Sequence, residues 1–147
     1  MKKILLIYTG GTIGMIQKNN SLSPFDFDNL KNAIPEIKDC GSDVQHISLV
    51  NPIDSSNMNI KYWRELSSCI YNHYDRYDGF VILHGSDTMA YTASIISFMF
   101  ENVNKAIILT GSQLPIGIKR SDAKENLITS IEIASSAIIN EVCVYFE

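Results

Sequence analysis

The chain has 147 residues, of which 46% are hydrophobic and only 19% charged, with 12 basic and 16 acidic side chains and a net charge of −4. This composition excludes a disordered chain, and the lack of a basic excess argues against nucleic-acid binding. No apolar run reaches the roughly 20 residues that a membrane span needs. The three cysteines, Cys40, Cys69 and Cys143, show neither disulfide nor zinc spacing. We therefore expect a globular domain of a reducing, cytoplasmic compartment.

Five short apolar runs have the length of β-strands. Continuous apolar runs of this kind are typical of strands that are covered on both faces, as in parallel sheets. The predicted strands are residues 4–8, 44–50, 80–83, 106–109 and 142–146.

Helical patterns lie between these strands. Asn59 is a predicted N-cap for a helix over 59–73, and a second helix over 87–102 opens at Asp87 or Thr88. Asp122 and Glu125 have the spacing of a capping box and predict a third helix over 122–139. A weaker helix is predicted over 27–33. Residues 14–26 are expected to form a long polar loop, and such loops are often functional.

The alternation of strands and helices predicts an α/β fold. We expect a doubly wound, flavodoxin-like or Rossmann-like sheet, mostly parallel, with helices on both faces. The last predicted strand has no helix after it to cover it. We therefore expect the sequence to be a fragment of a longer protein.

Polar residues gather where the predicted strands end, and ligands bind at that edge in open parallel sheets. Each segment alone also fits ordinary turns and helix caps, but glycine flanks a hydroxyl in three of the four. Neither phosphate-loop motif is present, and the histidines lack metal-ligand spacing, so no metal or cofactor is expected. The four segments are residues 9–14, 51–57, 84–88 and 110–113.

Two of these segments resemble the two signatures of bacterial L-asparaginases: TGGTIG at 9–14 and HGSDTM at 84–89. Three further stretches resemble the cytoplasmic type I branch of that family: DSSNM at 54–58, YDGFVILHG at 77–85 and TGSQLP at 110–115. The resemblance covers the chain from end to end, whereas members of the family are considerably longer and carry a second, C-terminal domain. The resemblance therefore implies that residues 1–147 are the N-terminal domain of a two-domain protein whose C-terminal domain lies outside this sequence.

The resemblance implies a role for each matching residue. Thr12 corresponds to the nucleophile, which attacks the side-chain amide carbon of asparagine, while Ser86 and Asp87 correspond to a second catalytic hydroxyl and its partner carboxylate. Because a hydroxyl is a weak nucleophile at neutral pH, it needs a base and a fixed geometry. The residues implied in substrate binding are Gly11, Asp54, Ser55, Ser56 and Ser112.

The sequence departs from the family pattern in three places. Ser86 stands where the family usually has threonine, so the hydroxyl is kept but its rotamer is freer. Leu22 stands where the family has a tyrosine that helps to activate the nucleophile, and the nearby Phe25 also has no hydroxyl. The catalytic lysine of the family lies beyond residue 147.

The expected function is hydrolysis of L-asparagine, with weaker hydrolysis of L-glutamine, by a homodimer or homotetramer of the full-length protein. The 147-residue chain alone is expected to have little or no turnover. Two alternatives stay open: the amidase subunit of a glutamyl-tRNA amidotransferase, and a truncated or decayed copy that only binds asparagine or aspartate. No nucleic-acid or membrane partner is expected.

Overall fold

A computed structural model describes residues 1–18, 21–24 and 34–147 of the chain. Its strands are β1 (Lys2–Gly10), β2 (Met15–Lys18), β3 (Ser21–Pro24), β4 (Ser42–Ile53), β5 (Gly79–Leu83), β6 (Ile107–Thr110) and β7 (Val142–Val144). Its α-helices are α1 (Ile60–His73), α2 (Met89–Met99) and α3 (Ala123–Ser135). Within the described ranges, no helix is long and apolar enough to cross a membrane.

Five of the strands form one parallel sheet in the order β4-β1-β5-β6-β7. The chain runs from β1 to one edge at β4 and then returns past β1 to β5, β6 and β7. This order confirms the predicted doubly wound α/β fold. It also makes the carboxyl end of β1 the point where the winding reverses, which is where such sheets bind their ligands.

Alternate residues of each central strand enter opposite cores. Leu5 and Ile7 of β1 pack in the core that contains α1 and α2. Ile4 and Leu6 pack in the core on the other face, against α3. All four side chains are fully buried, as expected for a central strand covered by helices on both faces. This rigid sheet fixes the position of the loops that follow its strands.

Two of the predicted helix boundaries need correction. The side chain of Asn59 accepts a hydrogen bond from the Lys61 N–H at 3.0 Å, so the predicted cap of α1 is confirmed. The helix α2 ends at Met99 rather than at residue 102, and Asn102 has a positive φ of 53°. The helix α3 ends at Ser135 rather than at residue 139, and Ala137 has a φ of 56°. Left-handed residues cannot continue a right-handed helix.

The predicted polar loop over 14–26 is wrong for its described part. Residues of β2 pair with β3 in an antiparallel hairpin, with Met15 opposite Pro24 and Gln17 opposite Leu22. Each of these strands has only four residues, several of them polar, so the sequence shows too little apolar alternation to predict a strand. The helix predicted over 27–33 and Phe25 lie outside the described residues.

Candidate active site

The main chain approaches closely where β1, β4 and β5 end. Gly10 pairs with Ile53, and a Cβ at Gly10 would lie 1.9 Å from the Ile53 carbonyl oxygen. Gly11 has a φ of 85°, and a Cβ there would lie 2.5 Å from the nitrogen of Gly85. Both contacts are closer than any side chain allows, and L-residues rarely adopt such a φ. Glycine at these two positions therefore lets the loops after the strands approach one another.

A cavity of about 150 Å³ opens where these loops meet. A space of this size suits a ligand the size of a small amino acid. Six of the eight site residues predicted from the sequence line it, and Met15 and Gly85 complete the lining. The full set is Gly11, Thr12, Met15, Asp54, Ser55, Gly85, Ser86 and Asp87.

Thr12 and Ser86 bring two hydroxyl groups to this cavity from different strands. Thr12 is half-buried and begins a 3-10 turn directly after Gly11, whereas Ser86 is exposed and begins the 3-10 turn that leads into α2. Neither hydroxyl forms a hydrogen bond with a described residue. Both are therefore available to a ligand.

Asp54 supplies a carboxylate that is held in place by its own turn. Its Oδ1 accepts hydrogen bonds from the Ser56 N–H and the Ser56 hydroxyl, both at 2.9 Å. The main-chain bond and then the hydroxyl bond lower the pKa of Asp54 below its ordinary value. Ser56 itself does not line the cavity. Its hydroxyl orients Asp54 instead.

Ser55 connects the loop after β4 to the loop after β5. It is buried, and its carbonyl oxygen accepts a hydrogen bond from the Thr88 hydroxyl at 2.8 Å. A Cβ at Gly85 would lie 2.4 Å from the Ser55 hydroxyl oxygen. Gly85 is thus a site residue that sequence inspection missed, although its place between His84 and Ser86 in the second signature was a signal for it.

Tyr8 lies beneath Gly11 as a neutral phenol. Its hydroxyl donates to the Gly11 carbonyl oxygen at 3.4 Å, and burial raises the pKa of Tyr8 to about 12. Such a phenol stays protonated at neutral pH and is not a base. The described lining of the cavity contains no lysine or histidine, so its ionisable groups are Asp54 and Asp87.

His84 lies behind the cavity and supports the turn that carries Ser86. The indole N–H of Trp63 donates to the Thr92 hydroxyl at 2.9 Å, and that hydroxyl lies 2.9 Å from Nε2 of His84. Nδ1 of His84 lies 2.7 Å from the Gly85 carbonyl oxygen, which can only accept, so Nδ1 carries the proton and Nε2 of the neutral ring accepts from Thr92. Burial lowers the pKa of His84 and so favours this neutral ring, whose bonds to Thr92 and Gly85 give it a structural role.

The loop after β6 lies beside the cavity. Ser112 is buried and does not line the cavity, and its hydroxyl donates to the Leu114 carbonyl oxygen at 2.6 Å. The predicted capping box is wrong, because Asp122 makes no side-chain cap to α3. Its carboxylate instead accepts from the N–H groups of Gln113 and Leu114. The spacing of Asp122 and Glu125 indicated a helix cap and did not indicate this contact with the preceding loop.

Comparison with known proteins agrees with the motifs. The family model described as "Asparaginase, N-terminal" matches residues 3–147. L-asparaginase 1 of Escherichia coli K12 is 43% identical over 99% of this chain and 44% of its own length. The crystal structure of L-asparaginase I from Vibrio cholerae matches with a TM-score of 0.91 and 42% identity, over 99% of this chain and 44% of that one. A glutamyl-tRNA(Gln) amidotransferase polypeptide of Methanosphaera stadtmanae is 37% identical, over 93% of this chain and 32% of its own length.

Proposed function

Because the chain belongs to the asparaginase family through its N-terminal domain, we propose that the protein containing it hydrolyses L-asparagine to L-aspartate and ammonia. The single observation that carries the proposal is the cavity at the end of β1, where unpartnered hydroxyls of Thr12 and Ser86 meet the carboxylates of Asp54 and Asp87. The two carboxylates suit the ammonium group of an amino acid, and the hydroxyls of Thr12, Ser55 and Ser86 suit its carboxylate and its side-chain amide.

The proposed chemistry begins at Thr12. Its hydroxyl oxygen attacks the side-chain amide carbon of asparagine, and the collapse of the tetrahedral intermediate expels ammonia and leaves an ester on Thr12. Water then attacks the ester carbon, which releases aspartate and returns the Thr12 hydroxyl. Ser86 and Asp87 move the protons of these steps, and main-chain N–H groups near Gly11 and Ser112 stabilise the oxyanion.

Substrate recognition is assigned to the loop after β4 and to Asp87. The Ser55 hydroxyl and the main chain of residues 54–56 hold the α-carboxylate of the substrate. Asp87 contacts its ammonium group. The bonds from Ser56 keep Asp54 ionised and fixed beside them, so the loop is organised before the substrate arrives.

The family resemblance implies that residues beyond the described lining also take part. A threonine hydroxyl needs a general base, and within the described lining only Ser86 and the carboxylates of Asp54 and Asp87 are available to move its proton. The chain spans about 44% of the length of the E. coli and V. cholerae relatives. We propose that a C-terminal region supplies the lysine that the family resemblance implies, and that the working form is a cytoplasmic homodimer or homotetramer.

Ammonia release from L-asparagine tests the proposal in the longest natural protein that carries this sequence. Replacing Thr12 by alanine is expected to abolish turnover without changing the melting temperature, because the Thr12 hydroxyl has no partner among the described residues. Ser94→Ala, which removes an exposed hydroxyl on α2, is the matched control. Full activity in the Thr12→Ala variant would refute the assignment.

A second candidate function is binding of asparagine or aspartate without turnover. The absence of a lysine or histidine from the described lining favours it. Calorimetric titration with L-aspartate, run alongside the ammonia assay, separates the two functions: heat of binding without ammonia release supports binding alone. The amidotransferase alternative is a weaker fit, because the match to the Methanosphaera stadtmanae protein has lower identity and coverage than the match to L-asparaginase 1.

A further inference from the structure

The start of α3 binds the loop that follows β6. One oxygen of the Asp122 carboxylate accepts from the Gln113 N–H at 2.7 Å and the other from the Leu114 N–H at 3.0 Å. One turn later, the buried Asn126 donates from Nδ2 to the Gly111 carbonyl oxygen at 3.1 Å. Hydrogen bonds to an ionised carboxylate are about twice as strong as neutral ones. The start of the helix therefore fixes the loop at three of its residues.

Two hydroxyl groups complete this attachment. Ser121 donates to the Leu114 carbonyl oxygen at 2.9 Å, and Ser112 donates to the same atom at 2.6 Å. Together these bonds occupy main-chain groups of Gly111, Gln113 and Leu114. None of them uses the main-chain N–H or C=O of Ser112, so the attachment leaves these two groups to a ligand.

The Asp122 carboxylate can bind the loop because a different residue accepts the hydrogen bond from the first N–H group of α3. Aspartate at an N-cap position ordinarily accepts from the first N–H groups of its own helix. Here the Ser121 hydroxyl oxygen accepts from the Ala123 N–H at 3.0 Å. The carboxylate of Asp122 has turned toward the preceding loop instead, so its role is distinct from capping.

The loop is in direct contact with the strand end that forms the cavity. A Cβ at Gly111 would lie 2.5 Å from the His84 carbonyl oxygen, and the His84 N–H donates to the Thr110 carbonyl oxygen at 2.8 Å. Gly85, the next residue, lines the cavity. A shift of the loop therefore changes the place of Ser112 relative to the substrate space.

We propose that Asp122 is a positioning residue for the reaction: it fixes the loop so that the peptide unit of Ser112 is aligned with the side-chain amide of the substrate. The inference rests on the proposed function. Because Asp122 acts on the reacting end of the substrate and not on its α-carboxylate or ammonium group, its loss should lower kcat more than it raises KM.

Two substitutions separate positioning from helix capping. Serine and asparagine are as good N-caps as aspartate, so both Asp122→Ser and Asp122→Asn keep the start of α3. The serine is too short to reach the loop, whereas the asparagine keeps one acceptor oxygen for it. Glu125→Gln, which neutralises an exposed carboxylate in the same turn, is the control for charge.

We expect kcat for L-asparagine to fall by about tenfold to a hundredfold in Asp122→Ser, the range that small misplacements cause. KM should change by less than about threefold, and Asp122→Asn should lie between Asp122→Ser and the wild type. Amide hydrogen exchange at Gln113 and Leu114 should accelerate in the same order. Glu125→Gln should match the wild type in every measurement.

Wild-type kcat in Asp122→Ser, or a loss confined to KM, would overturn the proposal. If Asp122→Ser does not fold, the Asp122→Asn variant decides the question: a fall in kcat without a matching rise in KM supports the proposal, and wild-type kcat or a loss confined to KM overturns it. Should the wild-type protein release no ammonia at all, it is the proposed function that fails. The exchange rates of Gln113 and Leu114 need no substrate, and unchanged rates in both variants would then overturn the attachment itself.

Discussion

Two neighbouring loops of this chain contain the same dipeptide and use it differently. Gly85-Ser86 follows β5 and Gly111-Ser112 follows β6, and the two strands are adjacent in the sheet. The Ser86 hydroxyl lines the cavity without a partner among the described residues. The Ser112 hydroxyl is buried and bonded to the Leu114 carbonyl oxygen.

The difference comes from the helix that follows each loop. After Ser86 the chain enters α2 at Met89, so the turn is short and its side chains stay exposed. After Ser112 the chain continues for ten residues before α3 begins at Ala123, and Asp122 then returns to bind the loop. A Gly-Ser pair at a strand end thus presents either its side chain or its main chain, depending on residues far along the sequence.

The largest expected effect is the difference in activity between the two serines. Ser86→Ala should lower kcat/KM for L-asparagine by about a hundredfold or more, the contribution of a group that transfers protons. Ser112→Ala should change it by less than about tenfold, because its hydroxyl bonds only to its own loop. Steady-state ammonia release in the longest natural protein measures both.

Ser86→Thr is the control for that pair, since it keeps the hydroxyl and restricts its rotamer. Its turnover should equal or exceed that of the wild type. Equal losses of kcat/KM in Ser86→Ala and Ser112→Ala would show that the two loops do not differ in this way.

Alanine should be costly at both glycines. A Cβ at Gly111 would lie 2.5 Å from the carbonyl oxygen of His84, and a Cβ at Gly85 would lie 2.4 Å from the Oγ and 2.7 Å from the Cβ of Ser55. Neither a strand carbonyl nor a Cβ can rotate away, so Gly111→Ala and Gly85→Ala should each lower the free energy of unfolding by about 1–3 kcal/mol. Urea denaturation measures both, and wild-type stability in either variant would contradict this expectation.

For stability, the two serines should stand in the opposite order from their order for activity, and the effects should be smaller. Ser112→Ala removes a buried hydrogen bond and should lower the free energy of unfolding by about 1 kcal/mol. Ser86→Ala removes an exposed hydroxyl and should change it by less than about 0.5 kcal/mol. Thermal unfolding of the same two variants measures this, and a greater loss in Ser86→Ala would indicate a bond absent from the described residues.

The smallest effect concerns His84, which touches both loops. Burial lowers its pKa below the ordinary value of 6.5, so below that pH the unfolded chain binds a proton that the folded one does not. Folding stability should therefore fall as the pH drops from about 6.5 through the lowered pKa, by a fraction of the roughly 1.4 kcal/mol per pH unit that one proton gives. Above about pH 6.5, His84 should not make the free energy of unfolding depend on pH.

Urea unfolding at about pH 7.5 and about pH 5.5 tests this in the wild type and in His84→Gln. The wild type should lose more stability than the variant on acidification. Equal losses would show that His84 is not the titrating group.

Sequence patterns predicted the elements whose signals are local. The five parallel strands followed from apolar runs, and the start of α1 followed from Asn59, which caps as expected. The roles of Asp122 and Gly85 could not be predicted, because each depends on what another strand or loop places against it. Asp122 has the spacing of a cap along the chain, and only packing reveals that its carboxylate turns the other way.

The glycine contacts at the ends of β1, β4 and β5 have a consequence for how this site can evolve. Where Gly11 meets Gly85, its wall is main chain packed against main chain, and no substitution can trim a peptide group to make room for a larger ligand. Ligand preference must therefore diversify through the rim, at positions such as Met15 and Asp54, or through surfaces that other parts of the protein bring over it.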